Sequence, residues 1–176
     1  PYRRQRQMCI RDRPKYVFIF EGAYDAMAFQ QIHNVKVRLE DCAFVSVGGS
    51  FSDEQFKQVI NQYPNAKKVL CFDNDLNGRM YDIRAYGIIN NLDMKTSINR
   101  ENGDIKIDVG NKGIFELPED KVSLNEFFKL SGYRQHPDLT IRKAPNGLKD
   151  WNEVLTRNLP IEDLHSAYEK KNNLSR

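Results

Sequence analysis

Asp73 and Asp75 stand one residue apart, directly after the apolar run Val69-Leu70-Cys71-Phe72. Such a run reads as a strand buried on both faces, which places the two acids at a strand's carboxyl end. In open parallel sheets, ligands bind in the crevice outside those ends. Carboxylates at i and i+2 cannot both enter a core without a large desolvation cost, so each needs water, donors or a cation. A hard divalent cation such as Mg²⁺ takes oxygen ligands, keeps several waters and meets that need. The simpler reading is an Asp-Asn-Asp turn that caps the helix after it, and for an isolated pair the cap is favoured.

Two further places repeat the pattern. Tyr16-Val17-Phe18-Ile19-Phe20 is a buried-type strand ending on Glu21-Gly22, and Asp150 follows the strand expected over Leu139–Ala144 and the Pro145-Asn146-Gly147 turn. One such acid is unremarkable as a helix cap, but three strand-end positions in one domain converge on one crevice.

The intervening chain supplies the elements that hold them. After Gly22 a helix is expected through Ile32, with Ala23, Met27, Phe29 and Ile32 available for its core face. Cys42–Val47 is a strand closed by Gly48-Gly49, whose amides suit either a phosphate or, more simply, a tight turn. Ser52 and Gln55 form a capping box, and Phe56, Val59, Ile60 and Tyr63 recur at helical spacing after it. Beyond Asn77-Gly78, a helix presents Tyr81, Ala85, Ile88, Ile89 and Leu92 on one face. The order is βαβαβα, which implies a parallel sheet with right-handed crossovers and helices on both faces. From about 95 to 137 the alternation breaks into a hairpin, Thr96–Asn99 with Ile105–Val109, and a short helix that Ser123 and Glu126 start and Gly132 ends. Asp150 begins another helix, with Trp151 as its packing anchor. Ile161, Leu164 and Tyr168 mark a last one within 156–176, expected to pack against the sheet and to fray into Lys170–Arg176.

Composition bounds the rest. Of 176 residues, 40% are hydrophobic and 29% charged, which suits a soluble α/β domain. No apolar run approaches a membrane span and no signal peptide is visible, so a cytoplasmic location is expected. Cys9, Cys42 and Cys71 form no CxxC pair, and His33, His136 and His165 share no ligand spacing, which leaves no zinc pattern. Residues 1–15 carry six basic groups and one acid, leaving 21 basic and 23 acidic groups on residues 16–176. The body is therefore not basic, and bulk charge does not argue for nucleic acid. Residues 1–14 are set apart as a tail, expected to be disordered or non-native: they resemble translated adapter sequence and lack an initiator methionine, so the chain is expected to be a piece of a longer protein.

A glutamate after the first strand, Asp73-Asn74-Asp75 with Asn77-Gly78-Arg79 after the third, and the βα order together resemble the Toprim domain of primases, topoisomerases and several nucleases. The resemblance covers about Lys15 to Leu155, with the insertion near 95–137. With Gly147-Leu148-Lys149-Asp150-Trp151-Asn152 it is closest to the primase-type Toprim proteins of conjugative and other mobile elements. It implies a Rossmann-like α/β fold with about four parallel strands. It further implies that Asp73 and Asp75 hold one or two Mg²⁺ ions, with Mn²⁺ as a substitute. Glu21 then completes the metal site or moves a proton at the scissile phosphodiester, and Asp150 completes a second metal position with Asn152 beside it. Arg79 and Lys149 are the cations that would meet phosphate oxygens, unless Arg79 merely pairs with Asp82 or Asp75. Asp25, one helical turn after Glu21, either extends the acidic site or is a solvated helix-face residue. The implied partners are DNA, single-stranded by expectation, nucleotides, and a helicase or other replication and mobilisation domains, with no membrane.

The residues leave three functions open: primase-like nucleotidyl transfer, a metal-dependent nuclease, and a noncatalytic DNA- or partner-binding module. Neither a tyrosine-bearing cleavage domain nor a zinc finger accompanies the motifs, which disfavours a topoisomerase and puts independent primer synthesis in question. A receiver domain also gathers acids at strand ends, but it needs its acid pair after the first strand.

Overall fold

The computed structural model describes residues 14–33, 38–100 and 102–157. In chain order the elements are β1 (Tyr16–Phe20), α1 (Ala23–His33), β2 (Cys42–Ser46), α2 (Asp53–Gln62), β3 (Lys67–Leu70) and α3 (Leu76–Ile89). There follow β4 (Met94–Ile98), β5 (Ile105–Val109), β6 (Gly113–Leu117), α4 (Leu124–Ser131), β7 (Leu139–Ile141) and α5 (Trp151–Thr156). The expected tail 1–14, apart from Pro14, the C-terminal helix of Ile161, Leu164 and Tyr168, Cys9 and His165 all lie outside the described residues.

Four strands form one parallel sheet in the order β2-β1-β3-β7. Because side chains alternate across a strand, the unbroken apolar run of β1 feeds two cores at once. Val17 and Ile19 join a core built with Phe56 of α2, Ile83 and Tyr86 of α3, and Ile105 and Ile107 of β5. Phe18 and Phe20 join the opposite core, with Ala28, Phe29 and Ile32 of α1 and Trp151 and Val154 of α5. Helices therefore cover both faces, and each fully buried large side chain stabilises the fold by roughly 1.5–3 kcal/mol. β2 is one of the two edge strands, and its residues from Cys42 to Val45 are only half-buried.

Both arms of the Ser52–Gln55 capping box form. Ser123 accepts the Glu126 N–H at the start of α4, and Gly132, at φ 72°, closes that helix with its N–H on the Phe128 carbonyl.

The structure corrects several boundaries. The β3 ladder ends at Leu70, two residues before the apolar run does, and β7 is three residues long. The expected hairpin is a three-stranded antiparallel sheet, β4-β5-β6, whose Ile105, Ile107, Val109 and Leu117 are buried in the α2–α3 core. Met27 is 55% exposed rather than in the core. The buried face of α1 is Ala28, Phe29, Ile32 and His33, with the His33 ring stacked on Phe29 at 4.1 Å.

Candidate acidic site at the sheet edge

Glu21 leaves β1 and is held by its main chain. Its carbonyl accepts from the Gly49 N–H at 2.9 Å and the Ser46 hydroxyl at 3.2 Å, and Ser46 Oγ accepts in turn from the Gly48 N–H. Gly48 and Gly49 have φ of 76° and 97°, the left-handed region that favours glycine. Their amides serve this turn, which is the simpler of the two expected readings.

The Asp73-Asn74-Asp75 turn is anchored from the far edge of the sheet. Asn74 donates its backbone N–H to the Lys149 carbonyl at 2.7 Å and its side-chain amide to the carbonyls of Ala144 and Leu148. The middle residue of the motif thus ties the β3 turn to the loop that delivers Lys149 and Asp150. Asp75 Oδ1 accepts the Gly78 N–H at 2.9 Å and caps α3, so the capping reading of Asp75 is correct for one of its two oxygens. A Cβ on Gly78 would stand 2.2 Å from the Asp73 carbonyl oxygen, and only glycine permits that approach. Asp150 Oδ1 caps α5 at 2.7 Å from the Glu153 N–H, and Asp25 Oδ1 accepts the Asn152 N–H at 3.1 Å, joining α1 to α5.

With these bonds made, the remaining oxygens define the site. The Lys149 ammonium stands 3.8 Å from Asp73 Oδ2 and 3.7 Å from Asp75 Oδ2, an ion pair too long for hydrogen bonds. Glu21 Oε2 is buried without a partner. Burial, then the charges of Asp73 and Asp75, push the Glu21 carboxyl up to about 7. Burial, then Asp25 and Asp75, push Asp73 up to about 6. Asp25 is raised as well, by burial first and by Asp150. Asp73 and Asp75 in turn hold the Lys149 ammonium above its ordinary value. Glu21, Asp25, Asp73, Asp75, Lys149, Asp150 and Asn152 are therefore brought into one neighbourhood.

Arg79 is not paired with it. Its Nε is buried without a partner, and its side chain lines an open cleft of about 580 Å³ with Asp120, Lys121, Val122, Ser123 and Glu126. The pairing expected with Asp75 or Asp82 does not form, because Lys149 faces Asp75 and Lys143 takes Asp82. Trp151 is 1% exposed and meets Phe29 edge-on, as a packing anchor should.

Among the described residues, no group of three or more His, Cys, Asp or Glu side chains is arranged as a ready metal cage. Mg²⁺ seldom uses one; it binds through one or two carboxylates, keeps waters and takes the rest from substrate phosphates. The oxygen-only donors, the unpartnered Glu21 Oε2 and the mutual repulsion among the acids fit such an ion.

The pairing of Lys143 with Asp82 escaped the sequence reading. Lys143 Nζ lies 2.7 Å from Asp82 Oδ2 and donates to the carbonyls of Phe72, Asp73 and Gly78. The available signal was a charged pair, Arg142-Lys143, inside a segment read as strand, where a cation must find a partner.

A parallel α/β sheet, helices on both faces and carboxylates along its carboxyl edge define a Rossmann-like protein with an acidic crevice. A family model described as Toprim-like matches residues 18–107, and the chain belongs to that family, one of metal-dependent nucleic-acid enzymes. Comparison with curated proteins and with solved structures returns no match. The matched segment holds Glu21, Asp25, Asp73, Asp75 and Arg79, while Lys143, Lys149, Asp150 and Asn152 lie beyond it. Among the described residues, no helix is long and apolar enough to cross a membrane.

Proposed function

We propose that this chain carries out Mg²⁺-dependent phosphoryl transfer on nucleic acid, as the primase-like Toprim domain of a replication or mobilisation protein of a mobile element, working in the cytoplasm. The observation that carries the phosphoryl-transfer reading is the Glu21 carboxyl, half-buried at a strand end, pushed up to about 7 beside Asp73 and Asp75, and with one oxygen unpartnered. A group that titrates near neutral pH is suited to take a proton from an attacking hydroxyl.

Asp73 and Asp75, with Glu21 or Asp150, are the oxygens that would hold Mg²⁺ or Mn²⁺, which when bound neutralises charge on the attacking and leaving oxygens. Asp73 and Asp75 present their Oδ2 atoms on the side where Lys149 stands. Lys149, 59% exposed, is free to turn to a substrate phosphate once that charge is balanced, and Arg79 would meet a phosphate further along. Asn152 and Asp25 brace α5 against α1 behind the acids.

Primase-like transfer rests on the Lys149-Asp150-Trp151-Asn152 resemblance. A nuclease would use the same Glu21 to activate water in place of a 3′-hydroxyl. Titration calorimetry with Mn²⁺ on the wild type and on Asp73→Ala/Asp75→Ala tests the shared site. Binding that vanishes in the double variant supports it, and binding indifferent to those acids refutes it. Nucleotide-dependent extension on single-stranded DNA then identifies a primase, degradation without nucleotides a nuclease, and DNA binding with neither reaction a noncatalytic module.

A further inference from the structure

Lys143 follows β7 and carries its ammonium behind the acidic turn, into the angle between the end of β3 and the first turn of α3. Its Nζ has four oxygens around it: Asp82 Oδ2 at 2.7 Å, and the carbonyls of Asp73 at 2.9 Å, Phe72 at 3.1 Å and Gly78 at 3.3 Å. An ammonium has three N–H donors, so these acceptors use all of them. The Asp82 side chain is 5% exposed and that of Lys143 is 21%.

Two of the carbonyls it binds, those of Phe72 and Asp73, are ones that regular structure leaves without a donor. The last sheet bonds at the end of β3 run from the Arg142 N–H to the Leu70 carbonyl and from the Cys71 N–H to the Ile19 carbonyl, and α3 begins only at Leu76. Phe72 and Asp73 lie between, where the chain leaves the sheet and enters the turn, and a buried carbonyl there needs a donor from elsewhere. Gly78 stands against the Asp73 backbone from the helix side. Lys143 therefore links the strand end, the acid-bearing turn and the helix start through one atom, and Asp82 holds that atom in place.

We propose that Lys143, oriented by Asp82, is a positioning residue for the metal-binding acids: it sets the backbone of the Asp73–Asp75 turn in its binding shape before any ion arrives. This rests on the reading of that turn as a metal site. It assigns the two lysines different work, with Lys143 fixed behind the turn and Lys149 exposed in front of it.

The test uses the full chain with Asp82→Asn/Lys143→Met, which removes both charges and leaves neither one buried alone. Ile107→Val, in the small sheet, serves as a control for stability loss remote from the turn. Mn²⁺ affinity is measured by calorimetry, and the amide resonances of Asn74 and Gly78 are followed by NMR in metal-free protein. The double variant should bind Mn²⁺ about 10- to 100-fold more weakly, the usual cost of removing a group that orients a metal ligand. Its Asn74 and Gly78 resonances should also shift, whereas Ile107→Val changes neither readout. Wild-type affinity together with unmoved resonances in the double variant would overturn the proposal. Should that variant fail to fold, Lys143→Gln replaces it, and wild-type affinity there is equally fatal. If the wild type itself binds no Mn²⁺, the metal reading fails separately; the resonances still decide, since unmoved Asn74 and Gly78 amides show that Lys143 does not set the turn.

Discussion

Glu21 and Asp73 make the metal-free site uncomfortable at neutral pH. Both carboxyls are raised, to about 7 and about 6, from ordinary values of 4.5 and 3.8. A carboxyl whose folded value lies above its unfolded one binds more protons when folded, so stability falls as pH rises between the two. The melting temperature of the metal-free protein should therefore drop from pH 5 to pH 8, and Glu21→Gln should flatten that slope. Calorimetric scans in chelator check this; a midpoint that climbs with pH would refute it. Metal affinity should run the other way, rising through pH 6–7 as the same groups lose their protons. Lys149 gives the companion test. At 3.7–3.8 Å from Asp73 and Asp75, its exposed ammonium gains only about 1 kcal/mol of Coulomb energy per acid in water. Lys149→Met should then tighten Mn²⁺ binding by on the order of fivefold, because a tethered competitor is gone. Unchanged or weaker binding would show that Lys149 does not compete for the site.

At the scale of elements, the acids are placed by short connections, each locked by a bond from a neighbouring segment. The β2–α2 loop holds the Glu21 carbonyl, the β7–α5 loop holds Asn74, and α3 packs its Gly78 onto Asp73. A methyl on Gly78 meets backbone 2.2 Å away, which cannot rotate aside. Gly78→Ala should cost about 3 kcal/mol, the upper end for overpacking, and should abolish Mn²⁺ binding. Urea unfolding measures the first effect and calorimetry the second, and loss of neither would mean that α3 can slide. This dependence on connections explains what the sequence made legible. β1 and β3 were readable because a strand covered on both faces must be apolar throughout, and the acids were readable because they interrupt that pattern. Asp75 and Asp150 announced themselves as caps by position. The third strand of the small sheet was missed because Gly110 and Gly113 look like punctuation before a run, Ile114–Leu117, too short to show alternation. Lys143 was missed because its partners Asp82, Phe72 and Gly78 are distant in sequence, and no local period marks a lysine that satisfies another strand's carbonyls.

The molecule as a whole presents nucleic acid with a contradiction that only a cation resolves. Residues 16–176 carry 21 basic and 23 acidic groups, so no general attraction draws a phosphate backbone to that part of the chain. The crevice at the sheet edge gathers Glu21, Asp25, Asp73, Asp75 and Asp150, which repel it. A bound divalent ion is the largest local charge in such a site; it offsets much of that repulsion and offers a phosphate oxygen a ligand position. Single-stranded DNA should therefore bind weakly in chelator and at least about tenfold more tightly with Mn²⁺, the reverse of simple screening, in which added ions weaken such binding. Residues 1–15, with six basic groups and one acid, should add a separate contribution that needs no metal. The two separate by salt: the tail's share falls steeply with added KCl, each neutralised phosphate of a single strand adding about −0.7 to the slope of log affinity against log salt. Fluorescence anisotropy of a labelled oligonucleotide across KCl, with and without Mn²⁺, resolves them. Asp73→Ala/Asp75→Ala should erase the Mn²⁺ gain and leave the salt slope. If that variant keeps the full gain, the ion acts elsewhere and the acidic crevice is not where nucleic acid docks.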